Sequence, residues 1–207
     1  LQNENREIYY LMSKQKFKPT KFLWIDLEMT GLIPEKDVIL EVAAEITGTD
    51  LETIDSYESR IQHNREVVLK RMQENPWWKD FPENRDDFVK GLPSAKPLLA
   101  VEKELVAFVD HHFGNEPAVL AGNSIQSDRA FIKQWMLELE LRLDYRMLDV
   151  TSWKMVMETM YDLEFEKPEV HRAFEDIQAS IAELQYYLEW FSKNNDQSEV
   201  RRVGKEC

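Results

Sequence analysis

The chain has 207 residues, 43% hydrophobic with six tryptophans, which is enough apolar material for one sizeable folded domain and too much for a disordered chain. Its 26 basic residues against 39 acids leave a net charge of −13, which would repel a long polyanion and argues against a protein that grips long nucleic acid along a basic track. No run nears the ~18 apolar residues of a membrane-spanning helix, so no membrane partner is expected. The single cysteine, Cys207, can form no disulfide within the chain, which fits a cytoplasmic location.

Residues 1–20 read as a polar leader; residues 1–7 resemble neither a signal peptide nor a mitochondrial presequence, and Met12 is a candidate start. Residues 21–29, KFLWIDLEM, read as the first strand. Side chains alternate along a strand, so Asp26 and Glu28 share one face about 7 Å apart, and Leu23, Ile25 and Leu27 share the other. Neighbouring acids repel and resist desolvation unless a cation lies between them, and a divalent metal is the simplest one. The same alternation also describes an ordinary half-buried edge strand.

A turn at 31–34 leads to strands over 38–48 and 55–62. The spacing predicts a helix over 67–78, ending near Pro76, and the three prolines of 80–97 predict a loop-rich segment. Leu98, Val101, Leu105, Phe108 and Val109 form one stripe of a helix over 98–113, with His111 and His112 at its C-terminal end. A short buried strand follows at 118–121, then a helix over 128–140 with Phe131, Ile132, Trp135, Met136 and Leu139 on one face. A strand at 145–150, a helix at 151–161 and a last helix over about 173–191 complete the order, with Ile177, Ile181, Leu184 and Leu188 directed inward. Strands first, then alternating helices and strands, predict one α/β domain with a mixed sheet over 21–191, followed by a polar tail over 192–207.

Two more acids stand at meaningful positions. Asp128 ends the polar loop Gly122-Asn123-Ser124-Ile125-Gln126-Ser127 before a helix, where an N-cap is the alternative to a metal ligand. Asp176 falls in the first turn of the last helix, where compensation of the helix dipole is the alternative. Asp26, Glu28, Asp128 and Asp176 together make an all-oxygen set suited to Mg²⁺ or Mn²⁺. His171, five positions before Asp176, titrates near neutrality and can take a proton from an attacking water. The other three histidines, His63, His111 and His112, read as structural, and no zinc-type spacing occurs.

Trp24-Ile25-Asp26-Leu27-Glu28-Met29-Thr30-Gly31-Leu32, Gly122-Asn123-Ser124-Ile125-x-x-Asp128, Tyr145-Arg146-x-Leu148-Asp149-Val150 and His171-Arg172-Ala173-x-x-Asp176 occur in that order. This pattern resembles the oligoribonuclease family of DEDDh 3′→5′ exonucleases, over about residues 21–191. The resemblance implies a ribonuclease H-like fold with a central mixed sheet flanked by helices, a homodimer, and two divalent ions, Mg²⁺ or Mn²⁺. It implies that Asp26, Glu28, Asp128 and Asp176 hold the metals and that His171 is the general base. It places Ser124, Arg146 and Thr151 around the 5′ phosphate, Leu32 against the bases, and Tyr145 in the partner's site. Asp149 is expected as a supporting contact at the sheet end. The implied substrate is a short single-stranded RNA of two to five nucleotides, cut to 5′-mononucleotides. The chain departs from the family at Pro76-Trp77-Trp78 and in lacking a histidine between Asn64 and Asp110. Either tryptophan could replace the base-stacking residue, or both could be packing. The competing readings are a ribonuclease T-like or DNA-directed exonuclease acting on longer substrates, and a metal-free interaction domain.

Overall fold

A computed structural model describes residues 18–166 and 172–203, with side chains through residue 194. His171, the leader up to residue 17 and residues 204–207 lie outside the described residues. Six strands form one sheet: β1 (Lys21–Met29), β2 (Ile39–Gly48), β3 (Thr53–Gln62), β4 (Lys96–Pro97), β5 (Ala118–Gly122) and β6 (Leu143–Asp149). Their order is β4-β3-β2-β1-β5-β6. β1 runs antiparallel to β2 and parallel to β5, so the strand carrying Asp26 and Glu28 lies at the centre of the sheet.

The helices are α1 (Arg65–Glu74), α2 (Trp77–Asp80), α3 (Pro82–Gly91), α4 (Leu98–Phe113), α5 (Gln126–Trp135), α6 (Leu137–Glu140), α7 (Val150–Tyr161) and α8 (Ala173–Val203). Period-2 alternation divides β1 between two cores. Leu23, Ile25 and Leu27 pack with Val101, Leu105 and Val109 of α4 and Phe131 and Ile132 of α5. Trp24, from the face shared with Asp26 and Glu28, packs with Ile177, Ile181 and Leu184 of α8. A third cluster joins Leu40 to Val68 and Met72 of α1, Trp78 of α2 and Phe88 of α3. β5 is buried throughout, as an apolar strand with parallel neighbours on both sides should be.

The segment 80–97 is largely helical rather than loop-rich. Its prolines sit outside helix interiors: Pro82 opens α3, where its missing N–H costs nothing, Pro93 falls in the first turn of a 3-10 segment (Leu92–Ser94), and Pro97 ends β4. The predicted helix over 67–78 divides at Asn75-Pro76 into α1 and α2. The predicted helix over 128–140 breaks at Met136 (φ −134°), although Met136 and Leu139 stay buried on the same face. α8 continues to Val203, and Leu188 is exposed rather than inward.

Candidate active site

Asp26, Glu28 and Asp176 each offer a carboxylate oxygen, and these atoms lie within 4.8 Å of one another. Two come from one face of β1 and the third from the first turn of α8, so strand alternation and helix docking assemble the group. All three residues are half-buried. Burial pushes the Glu28 carboxyl up to about 8, reinforced by Asp176 and Glu41, opposed by Arg172, and raised further by Asp128. Clustered carboxylates in a partly desolvated setting are an unfavourable arrangement that a hard divalent cation relieves, and the all-oxygen donor set fits Mg²⁺- or Mn²⁺-type ions.

Asp128 stands beside this trio but outside it. It occupies the first turn of α5 rather than its N-cap, and its Oδ1 accepts a hydrogen bond from the Leu27 N–H at 3.0 Å. The bond fixes α5 to β1 between the two strand acids. Burial pushes the Asp128 carboxyl up to about 7 despite this bond, and Asp149 adds to the rise.

The sheet end around β5 and α7 is held by one polar network. Ser124 takes a left-handed conformation (φ 49°), and its N–H donates to Asp149 Oδ1 at 3.0 Å and Thr151 Oγ1 at 2.8 Å. Asp149 also accepts from the Thr151 N–H at 3.0 Å and caps α7, which is the expected supporting contact. Asn123 donates to Ser180 Oγ at 2.9 Å and Glu183 Oε2 at 3.1 Å, tying this loop to α8.

Tyr145 and Arg146 do not obey strand alternation. Leu143 pairs with Ala118 and Met147 with Leu120, so β6 carries extra residues between those pairs and bulges. Both side chains are exposed, and the Arg146 guanidinium stacks 4.3 Å from the Tyr145 ring centroid. Asp144, buried beneath them, accepts from the Arg146 N–H at 2.8 Å and from its Nη1 at 3.3 Å.

A cleft of about 640 Å³ adjoins the acids, lined by Glu28, Leu32, Ile33, Arg71, Asn75 and Trp77 among others. The Asp37 carboxylate shapes its rim by accepting from Thr30 Oγ1 and the Ile33 N–H, and it leaves no room for a Cβ at Gly31. Leu32 is held out at the tip, 80% exposed. The tandem tryptophans separate: Trp78 is buried and donates to the Thr30 carbonyl at 2.9 Å, whereas Trp77 lines the cleft. His63 and His112 have structural partners, the Ile39 carbonyl and Asp55.

The exonuclease family profile (RNase_T) matches residues 23–184. The chain belongs to this exonuclease family. It is 36% identical over 179 residues to the oligoribonuclease of Pseudomonas fluorescens, covering 84% of this chain and 98% of the relative. It is 38% identical over 181 residues to the oligoribonuclease of Corynebacterium glutamicum, covering 83% and 80%. Among solved structures it is similar to E. coli exonuclease I in complex with an oligonucleotide, with a TM-score of 0.55 and 12% identity over 84% of this chain and 43% of that one. Exonuclease I from Methylocaldum szegediense gives a TM-score of 0.53 and 15% identity over 79% and 39%. The chain thus spans about two fifths of the length of those exonuclease I chains, and the likeness shows the ribonuclease H-like fold of this exonuclease family.

The sequence does not single out Glu41, the cross-strand neighbour of Glu28, or Arg60, Asp87 and Arg172, which pair with Glu41 and with one another. Arg172 does reach Glu28 electrostatically, but its guanidinium is engaged by Glu41 and Asp87.

Proposed function

We propose that this chain is a 3′→5′ exoribonuclease that hydrolyses oligoribonucleotides of about two to five nucleotides to 5′-mononucleotides. The carrying observation is the Asp26–Glu28–Asp176 trio within 4.8 Å, in a chain whose oligoribonuclease relatives match most of its length.

Asp26, Glu28 and Asp176 would hold divalent ions, Mg²⁺ or Mn²⁺, with Asp128 completing the set beside Leu27. When bound, such ions lower the pKa of an attacking water and offset charge on the scissile phosphate. His171, at the approach to α8, would take the proton from that water. Trp77 and Leu32 flank the cleft next to Glu28 and offer apolar surfaces to the terminal bases. Ser124 and Thr151, in contact with each other, and Arg146 on β6 would cap the 5′ phosphate. Such a cap fits a short substrate and needs no basic track, in keeping with a charge of −13.

A homodimer is supported by the exposed apolar side chains of the outer strand β6, Tyr145 and Met147, and of the following helix α7, Met155 and Met160. No helix among the described residues is long and apolar enough to cross a membrane, and action in the cytoplasm is the reading the lone cysteine supports. The exonuclease core is residues 21–191, with 1–20 and 192–207 as flanking segments.

The test is a length series of 5′-labelled RNAs from two to twenty nucleotides, with Mg²⁺, Mn²⁺ or EDTA. Stepwise loss from the 3′ end, fastest at two to five nucleotides and absent in EDTA, is expected. Faster decay of the twenty-mer would replace this reading with a ribonuclease T-like one.

A further inference from the structure

Behind Glu28 lies an acid that the metal-binding role does not use. Glu41 pairs with Glu28 across β1 and β2, is fully buried, and leaves its Oε1 without a hydrogen-bond partner. Its Oε2 accepts from Arg60 Nε at 3.1 Å and lies 3.4 Å from Arg172 Nη2. Arg172 Nη1 donates to Asp87 Oδ2 at 2.8 Å, and Arg60 Nη2 donates to the same oxygen. Both guanidiniums also lie over the Phe88 ring, at 5.2 and 5.6 Å. Two acids and two arginines from β2, β3, α3 and the approach to α8 therefore close a ring of ion pairs.

The ring touches the acid trio through the backbone. The Arg172 carbonyl accepts a hydrogen bond from the Asp176 N–H at 2.9 Å. The residue gripped by Glu41 and Asp87 thus also closes the first turn from which Asp176 reaches Glu28. An ion-pair cluster built on one buried acid, with its other members partly exposed, is a poor source of stability, because desolvation of Glu41 and solvent screening of its partners cancel much of the attraction. Its directional contacts, however, fix the relative placement of four elements.

We propose that Arg172, held by Glu41 and Asp87, is a positioning residue that sets Asp176 against Glu28, and that Asp87 thereby makes α3 part of the assembly of the active centre. This rests on the nuclease reading.

Full-length wild type, Asp87→Ala, Asp87→Glu, Arg172→Lys and the Asp87→Ala/Arg172→Lys double variant are compared. Three readouts are taken: Mn²⁺ affinity of EDTA-stripped protein by calorimetry without substrate, kcat and KM on a labelled dinucleotide, and the thermal midpoint. For Asp87→Ala, Mn²⁺ affinity and kcat should each fall roughly tenfold, the low end for partners that orient metal ligands. KM should stay within about twofold, since substrate contacts are untouched. The midpoint should move by only about 2 °C, because Asp87 is half-exposed and such pairs add little stability. Asp87→Glu should recover most of both losses, and the double variant should lose no more than the worse single one. Unchanged Mn²⁺ affinity and kcat in Asp87→Ala would overturn the proposal. So would a lowered midpoint with kcat intact, or additive losses in the double variant. A wild type that binds Mn²⁺ but cleaves nothing would overturn the nuclease reading, while the Mn²⁺ titrations would still decide the role of Asp87.

Discussion

Replacing Glu28 by Gln should lessen the fall in stability of the metal-free protein as pH rises. Below pH 4.5 the Glu28 carboxyl is protonated in both folded and unfolded states. As pH rises, the unfolded chain releases this proton first, whereas the folded site retains it up to about pH 8. The folded state then binds more protons than the unfolded one, so stability falls with pH throughout that window. Each pKa unit is worth about 1.4 kcal/mol, so between pH 5 and 7.5 the loss attributable to Glu28 is roughly 3 kcal/mol. Glu28→Gln keeps the shape, removes the titration and lessens the repulsion from Asp176 and Glu41. The stripped variant should therefore match wild type near pH 5 and exceed it near pH 8. Mn²⁺ should stabilise wild type more than the variant at pH 8, since cation binding replaces the proton. Urea unfolding in EDTA and in Mn²⁺, at half-unit steps from pH 5 to 8.5, measures both effects. Parallel profiles for the two proteins in EDTA would refute the reasoning, because the acid trio would then carry no desolvation cost.

Asp176→Asn, which removes ligand charge but little volume, should lower kcat by at least about 10³-fold with the far-ultraviolet dichroism unchanged; near-normal turnover would remove Asp176 from the site. Trp77→Ala should raise KM for a dinucleotide by about 10-fold, the scale of one lost stacking contact, with a small change in stability. Trp78→Ala should instead cost about 3–5 kcal/mol of stability on denaturant unfolding, as a fully buried tryptophan does. Arg146→Ala should reduce kcat/KM on a dinucleotide by roughly 10- to 100-fold and on a ten-nucleotide RNA by less, since only the short substrate can place its 5′ phosphate in the cap. Equal losses at both lengths would assign Arg146 to chemistry or folding.

What the sequence disclosed followed the regularity of its elements. Asp26 and Glu28 share a face because β1 is a regular strand, and the stripe of Val101, Leu105 and Val109 is buried because α4 is a regular helix. The misreadings arose where regularity fails. Prolines mask α3 in the sequence, although Pro82 opens it, Pro93 falls in the first turn of the short 3-10 segment after it, and Pro97 ends β4. Tyr145 and Arg146 are both exposed, against simple strand alternation, because β6 bulges there, a feature set by pairing with β5. Tandem tryptophans are equivalent in sequence, and the short turn of α2 alone sends Trp78 into the core and Trp77 to the cleft. Glu41 and Glu45 of β2 are both fully buried, with Glu41 matched by arginines distant in sequence. Partners supplied from α3 and the approach to α8 leave no local trace in the strand they serve.

The same charges bear on the order in which the site fills. Asp26 and Asp176 converge on Glu28, which lines the cleft, with Asp128 and Glu41 within electrostatic reach of Glu28. Without cations, this end of the site repels the phosphate that must approach it. Arg172, within electrostatic reach of Glu28, is held by Glu41 and Asp87 and cannot turn to the substrate without breaking both contacts, and Arg71 in the cleft wall is paired with Glu74. Apolar contact with Trp77 and Leu32 acts on bases, not on phosphate, and does not offset that repulsion. Cation binding must therefore precede or accompany the oligonucleotide. A non-hydrolysable dinucleotide analogue should bind more than tenfold tighter in Ca²⁺ than in EDTA, because the ion reverses the sign of the local field. Raising the ionic strength should weaken the repulsion in EDTA and narrow this difference. Equal affinity in the two conditions would mean that the phosphate is held away from the acid trio, and the placement of the scissile bond beside Glu28 would then fall.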